Sequence, residues 1–175
     1  MAPSAPRRPA LCVLDLDMCV WAPEMYELHQ LPVETRRGPL AAGRGDGVVA
    51  ALSGTEAITL FPGAMRAMQE VYDGDHADMR LAVASSADTP RAVEIGKAAM
   101  RLLEVLPGVT MYDVLMRGWT DEGHLQIGRT APLSSDKSRT HFPILRDTTG
   151  VPYDEMLFFD DSVWSDHCRM VERAC

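Results

Sequence analysis

Short apolar runs alternate along this chain with segments whose apolar residues recur at helical spacing, and that alternation restricts the fold more than any other feature. Ala10 to Leu16 (ALCVLDL), Met79 to Ala84 (MRLAVA), Thr110 to Met116 and Met156 to Phe159 (MLFF) read as four buried strands. Pro62 opens a helix with Met65, Met68, Val71 and Tyr72 on one face and Gly74 past its end. Further helices are predicted from Pro90 to Glu104, with Val93, Gly96, Met100 and Leu103 on one face, from about Lys137 to Asp147, and over Val163 to Arg173. Strands and helices in this order imply an α/β fold, a parallel sheet flanked by helices on both faces with right-handed crossovers. Residues 34–56, rich in Gly, Ala and Arg with weak periodicity, read as a long loop, and 117–136 as a polar insertion.

A chain of 175 residues fits a single domain spanning 1–175, with a long loop or minimal cap at about 22–60 and the insertion at about 117–136. Seventeen basic against 25 acidic residues give a net charge of -8, a field that repels polyanions, so nucleic acid is not an expected partner. No apolar run is long enough to span a bilayer, and MAPSAPRRPA lacks the apolar stretch of a secretory signal; no membrane association and a cytoplasmic location are expected. Cys12, Cys19, Cys168 and Cys175 show no metal-binding spacing, and disulfides are not expected. The five histidines include no i, i+4 pair and read as surface or locally hydrogen-bonded groups.

In an open parallel sheet, ligands bind beyond the carboxyl ends of the strands. There this sequence places Asp15 and Asp17 after the first strand, Ser85 and Ser86 after the second, and Asp160 and Asp161 after the last, with Lys137 opening the preceding helix. A carboxylate becomes a nucleophile toward phosphorus when a metal aligns it and offsets the repulsion between two anions; Asp15 takes that role. Magnesium prefers hard oxygen ligands, and Asp15, the Asp17 carbonyl and one of Asp160 and Asp161 supply them. Asp17 is placed to protonate the leaving group and then to activate water. Lys137 and Ser85, with Ser86 beside it, donate to the phosphoryl oxygens. A second acidic pair, Asp73 and Asp75, lies in the turn-like run DGDHAD with no strand before it and reads as a solvated turn.

Several strings resemble the magnesium-dependent phosphatase-1 branch of the haloacid dehalogenase superfamily. DLDMCVW (Asp15 to Trp21) is similar to that branch's DLDxTLW, FPG at 61–63 to its YPE helix start, and AVASSADT to its second motif. THFPILRDTTGVPYDEMLFFDD (Thr140 to Asp161) resembles its THF, TG and FFDD framework. The resemblance implies a Rossmann-like sheet with a minimal cap or none, a Mg2+ cofactor, and phosphomonoester hydrolysis through an aspartyl-phosphate. It also implies a substrate that is either a phosphoprotein, such as one bearing phosphotyrosine, or a small phosphorylated sugar or sugar-amine.

This chain departs from that pattern in three places. Cys19 replaces the usual threonine. Lys137 lies four residues before His141, where the family's lysine lies three before its histidine, leaving Ser138 at the expected offset and Arg139 as an alternative cation. SVWSDH follows FFDD in place of a charged run with asparagine, which offers Ser165 or Asp166 as supporting groups. These departures make a catalytically weak or silent domain, acting as a phosphoacceptor or binding module, the alternative reading. A receiver module uses similar residues, but its acid pair and acceptor come in a different chain order.

Overall fold

A computed structural model describes residues 9–76, 78–129, 133–162 and 166–175. The first strand, β1 (Leu11–Leu14), is followed by the short β2 (Trp21–Ala22) and then by β3 (Glu34–Pro39), β4 (Asp46–Ser53) and β5 (Glu56–Leu60). Helix α1 (Pro62–Asp73) leads into β6 (Arg80–Ser85) and helix α2 (Pro90–Leu102). Next come β7 (Glu104–Leu106), β8 (Val109–Thr110), helix α3 (Met111–Leu115) and β9 (Leu125–Ile127). Helix α4 (His141–Thr149), β10 (Met156–Phe159) and helix α5 (His167–Ala174) complete the order.

The central sheet is parallel, in the order β10-β1-β6-β9. Strand order therefore reverses at β1: the chain first builds outward through β6 and β9, then returns to place β10 on the other side. That reversal opens a crevice at the carboxyl end of β1, where open α/β sheets bind their ligands.

Alternation along the strands divides the interior in two. Cys12, Leu81, Val83, Leu125 and Ile127 face the core shared with α1, α2 and α3, while Leu11, Val13, Ala82 and Ala84 face Phe142, Leu145 and Val171 of α4 and α5. Helix α1 begins at Pro62 and ends at Gly74, whose φ of 86° is a left-handed cap that a side chain would strain. Helix α2 has Pro90 in its first turn and Thr89 as cap, accepting from the Ala92 N–H at 3.0 Å. Its buried stripe is Ala92, Ile95, Gly96, Ala99 and Met100, turned from the predicted one, so that Val93 is only partly buried. Leu102 ends the helix, and Glu104 starts β7 instead of closing α2.

Four expectations need correction. Residues 34–56 are not a long loop: they form β3, β4 and the start of β5, and with β2 make an antiparallel sheet in the order β2-β5-β4-β3. Strand β4 is mostly buried on both faces, so Asp46–Ser53 shows no polar alternation to reveal it. Thr110 to Met116 is not the third strand: Met111–Leu115 forms helix α3, with Thr110 and Met116 as its caps. A capping box decides it: Thr110 Oγ1 accepts from the Asp113 N–H at 3.2 Å and the Asp113 carboxylate accepts from the Thr110 N–H at 2.8 Å.

The third parallel strand is β9, inside the segment read as an insertion, where three residues gave too short a pattern to detect. Finally, α4 starts at His141, and residues 137–140 form the turn before it. The predicted start of the last helix, at 163–165, lies outside the described residues. Among the described residues there is no large cap, and no helix is long and apolar enough to cross a membrane.

Candidate active site

Asp15 follows the last residue of β1, and its N–H donates to the Phe159 carbonyl at 2.9 Å, which ties the end of β1 to the end of β10. Asp160 comes next after Phe159, and Ser85 closes β6 on the other side of β1. Lys137 reaches this rim from the turn before α4. That turn is fastened internally, with Ser138 Oγ donating to Asp136 Oδ1 at 2.6 Å and the Thr140 hydroxyl to the Asp136 carbonyl at 3.1 Å. It is fastened to the sheet by His141, whose Nε2 donates to the Ser85 carbonyl at 3.1 Å. Burial pushes the His141 ring down to about 4, so it is neutral at pH 7 and its tautomer is set by the carbonyl it serves.

Lys137 Nζ lies 2.9 Å from Asp15 Oδ1 and 2.5 Å from Asp160 Oδ2, and its side chain is 1% exposed. Arg139 is exposed. One ammonium thus bridges two carboxylates that would otherwise repel, and the one-residue shift in the sequence is absorbed by the turn. Asp160 Oδ1 accepts from the Ser162 N–H at 2.8 Å, and His167 Nδ1 lies 3.0 Å from Asp160 Oδ2. Burial alone would raise Asp160, but Lys137, Ser162 and His167 outweigh it and hold the carboxyl below its usual range. Asp15 goes the other way: burial pushes it up to about 7 despite Lys137. The two partners of one lysine therefore differ because burial outweighs the donors at Asp15, whereas at Asp160 burial is outweighed by Lys137, Ser162 and His167 together.

Asp17 is held apart from this pair. Its Oδ1 accepts from the indole N–H of Trp21 at 2.8 Å and its Oδ2 from the Met25 N–H at 3.0 Å, and burial raises its pKa. Trp21, fully buried, is a support for Asp17. Burial also raises the Cys19 thiol to about 12, with Asp15, Asp160 and Asp161 adding to the effect, so it stays protonated beside the site.

These groups border an open cleft of about 330 Å³ that includes Asp15, Asp17, Ser85, Ser86, Lys137, Asp160 and Asp161 in its lining. All seven residues singled out in the sequence thus meet in one place. Ser86 Oγ donates to the Ser134 carbonyl at 3.4 Å, which partly engages its hydroxyl. Asp15, Asp160 and Asp161 each offer a carboxylate oxygen within 4.8 Å of the others. An all-oxygen set of this kind fits a hard divalent cation such as Mg2+ better than zinc or copper.

The sequence did not single out His167, Arg129, Glu24, Tyr26 or Asp88, which also line the cleft. The unusual SVWSDH run after Asp161 is the signal for His167; of the two supporting groups expected from that run, Ser165 lies outside the described residues and Asp166 lies 3.7 Å from Arg169. The second acidic pair stays out of the cleft: Asp73 is held by Arg44 at 2.6 Å.

Residues 7–172 match the family described as Acid Phosphatase. No curated protein matches the chain. Because that span takes in the whole central sheet and every residue of the acidic cluster, the chain belongs to the acid phosphatase family, a haloacid dehalogenase-like group of the magnesium-dependent phosphatase-1 type, and its activity is that of a phosphatase.

Proposed function

We propose that this protein is a magnesium-dependent phosphomonoester hydrolase in which Asp15 is phosphorylated and dephosphorylated in each turnover. The observation that carries the reading is the convergence of Asp15, Asp160 and Asp161 around the buried ammonium of Lys137. Asp15, Asp160 and Asp161 would hold Mg2+, which when bound supplies charge that offsets the repulsion between carboxylate and phosphate.

An Asp15 oxygen attacks phosphorus, the bond from phosphorus to the ester oxygen breaks, and Asp17 delivers a proton to that oxygen. Burial suits Asp17 to this role, since a carboxyl with a raised pKa keeps a proton available nearer neutrality. Water then attacks phosphorus and gives a proton back to Asp17, the bond from phosphorus to the Asp15 oxygen breaks, and inorganic phosphate leaves. Lys137 and Ser85 hold the phosphoryl oxygens while charge builds on them. The cleft has room for a phosphate on a sugar-sized or side-chain-sized group, which supports a small phosphorylated sugar or a phosphoprotein as substrate.

The test is hydrolysis of an aryl phosphate by chelator-treated, desalted protein. Activity is expected to vanish and to return with Mg2+; undiminished turnover without metal would sink the mechanism.

His167 provides a separate prediction. Its contact with Asp160 supports a carboxylate of the proposed metal set, and loss of such a partner typically costs about 10- to 100-fold in metal affinity or activity. His167→Ala is expected to raise the Mg2+ concentration needed for half-maximal activity by about that factor, and His167→Asn, which keeps an N–H donor in nearly the same place, to recover much of it. An unchanged magnesium requirement in the alanine variant would remove His167 from the site.

A further inference from the structure

Arg129 follows Gly128 just past β9, and its Nε–H donates to the Ser86 carbonyl at 3.0 Å, which plants the guanidinium on the cleft wall. The side chain is exposed, and among the described residues it takes part in no ion pair. With Nε engaged, four N–H donors on its two terminal nitrogens are left to serve a ligand.

The charge balance of the cleft gives those donors a purpose. Asp15, Asp17, Glu24, Asp88, Asp160 and Asp161 line it, against Lys137 and Arg129 as permanent cations. Lys137 is already neutralised by the two carboxylates it touches and is almost wholly buried. Even with a divalent ion bound, carboxylates outnumber positive charges, so a phosphate dianion approaching from solvent meets a negative wall. Arg129 is the exposed exception on it. A planar fork of donors matches two phosphate oxygens, a match that a lysine ammonium cannot reproduce.

We infer that Arg129 is a specificity-determining residue of this cleft: its guanidinium receives the oxygens of the incoming phosphate and, through its bond to Ser86, holds them over the end of β6. The inference rests on the phosphatase reading above and adds to it the group that captures the dianion. It makes no demand on the chemical step, which belongs to Asp15, Asp17 and Lys137.

The test combines steady-state kinetics with an aryl phosphate, inhibition by inorganic phosphate, and calorimetric binding of inorganic phosphate to the magnesium-loaded protein. Arg129→Ala is expected to raise KM and the inhibition constant of phosphate together by about tenfold or more, with kcat within about threefold of wild type, as for loss of a charge-assisted bond made equally to substrate and transition state. Arg129→Lys should fall between, since it keeps the charge and loses the fork. KM and phosphate inhibition unchanged in Arg129→Ala would overturn the assignment. So would a fall in kcat and melting temperature with phosphate affinity intact, which would mark a purely structural tie to Ser86. Failure of the wild type to turn over at all would defeat the phosphatase reading instead, and the calorimetric comparison would then decide Arg129 alone.

Discussion

Asp15→Asn is expected to abolish turnover, by at least about 10⁴-fold, with no phosphate recoverable on the protein after an acid quench. The substitution is nearly isosteric, and its carbonyl oxygen can still accept from Lys137, so loss of activity without loss of fold isolates the nucleophile. Asp17→Asn should fail differently. With an aryl phosphate, whose leaving group needs little protonation, phosphoryl transfer to Asp15 continues and the phosphoenzyme accumulates because water lacks its base. Mass spectrometry separates the two, and wild-type phosphate incorporation in Asp15→Asn would move the nucleophile elsewhere.

A stability signature accompanies the first variant. Burial raises Asp15 to about 7 in the folded, metal-free protein, above the ordinary carboxylate value of the unfolded chain. The unfolded state therefore gives up this proton first as pH rises, and stability is fully present below the unfolded pKa and falls as pH climbs toward 7. Asp15→Asn removes that dependence. Above pH 7, with chelator present, its melting temperature should exceed that of the wild type, the usual trade of stability for function at an active site.

Lys137→Ala is the second large effect expected, a loss of about 10²-fold or more in kcat, as for removal of other groups that stabilise transition-state charge. Without the ammonium, Asp15 and Asp160 face each other unshielded at the buried end of the sheet, so the variant should also be destabilised by about 3 kcal/mol, the lower range for breaking a buried ion pair. Arg139→Ala should change neither quantity appreciably, because Arg139 is exposed. Purified variants compared by kcat and denaturant midpoint decide between the two cations. Near-normal activity in Lys137→Ala would remove the lysine from the mechanism.

The active-site residues were legible because each follows or ends an apolar run. Asp15 and Ser85 sit at the ends of β1 and β6, apolar strands buried along almost their whole length, and Asp160 follows β10, an apolar edge strand that leaves Leu157 and Phe159 exposed; such runs announce themselves by composition alone. Lys137 reaches the rim although the helix begins four residues later than its sequence predicts, because a long side chain in a tight turn spans the same distance. What the sequence concealed depends on contacts between distant segments. Strand β9 is three residues long and is recognisable mainly by its pairing with β6. Strand β4 hides because most of its residues are buried regardless of face. Thr110 and Asp113 did carry a readable helix-start signal, and the apolar character of the residues between and after them obscured it. Arg129 lies past a strand too short to read, so nothing local marks it as a neighbour of Ser86, whereas the only sign of His167 is its place at the end of the SVWSDH run after Asp161.

The pairing of β1 with β10 sets the order in which activity can arise. Leu11 lies opposite Met156, so nearly the whole chain must be closed into a loop before the two strands meet, an entropic cost on the order of 4 kcal/mol if that loop is still flexible. Sheet growth outward from β1 through β6 and β9 joins nearer segments, and such contacts form sooner than distant ones. A partly assembled chain can therefore hold Asp15 and Ser85 in register while Asp160 and the acidic cluster are still absent. Recovery of phosphatase activity during refolding thus times the arrival of the outermost strand, and a probe of sheet content alone would report completion too early.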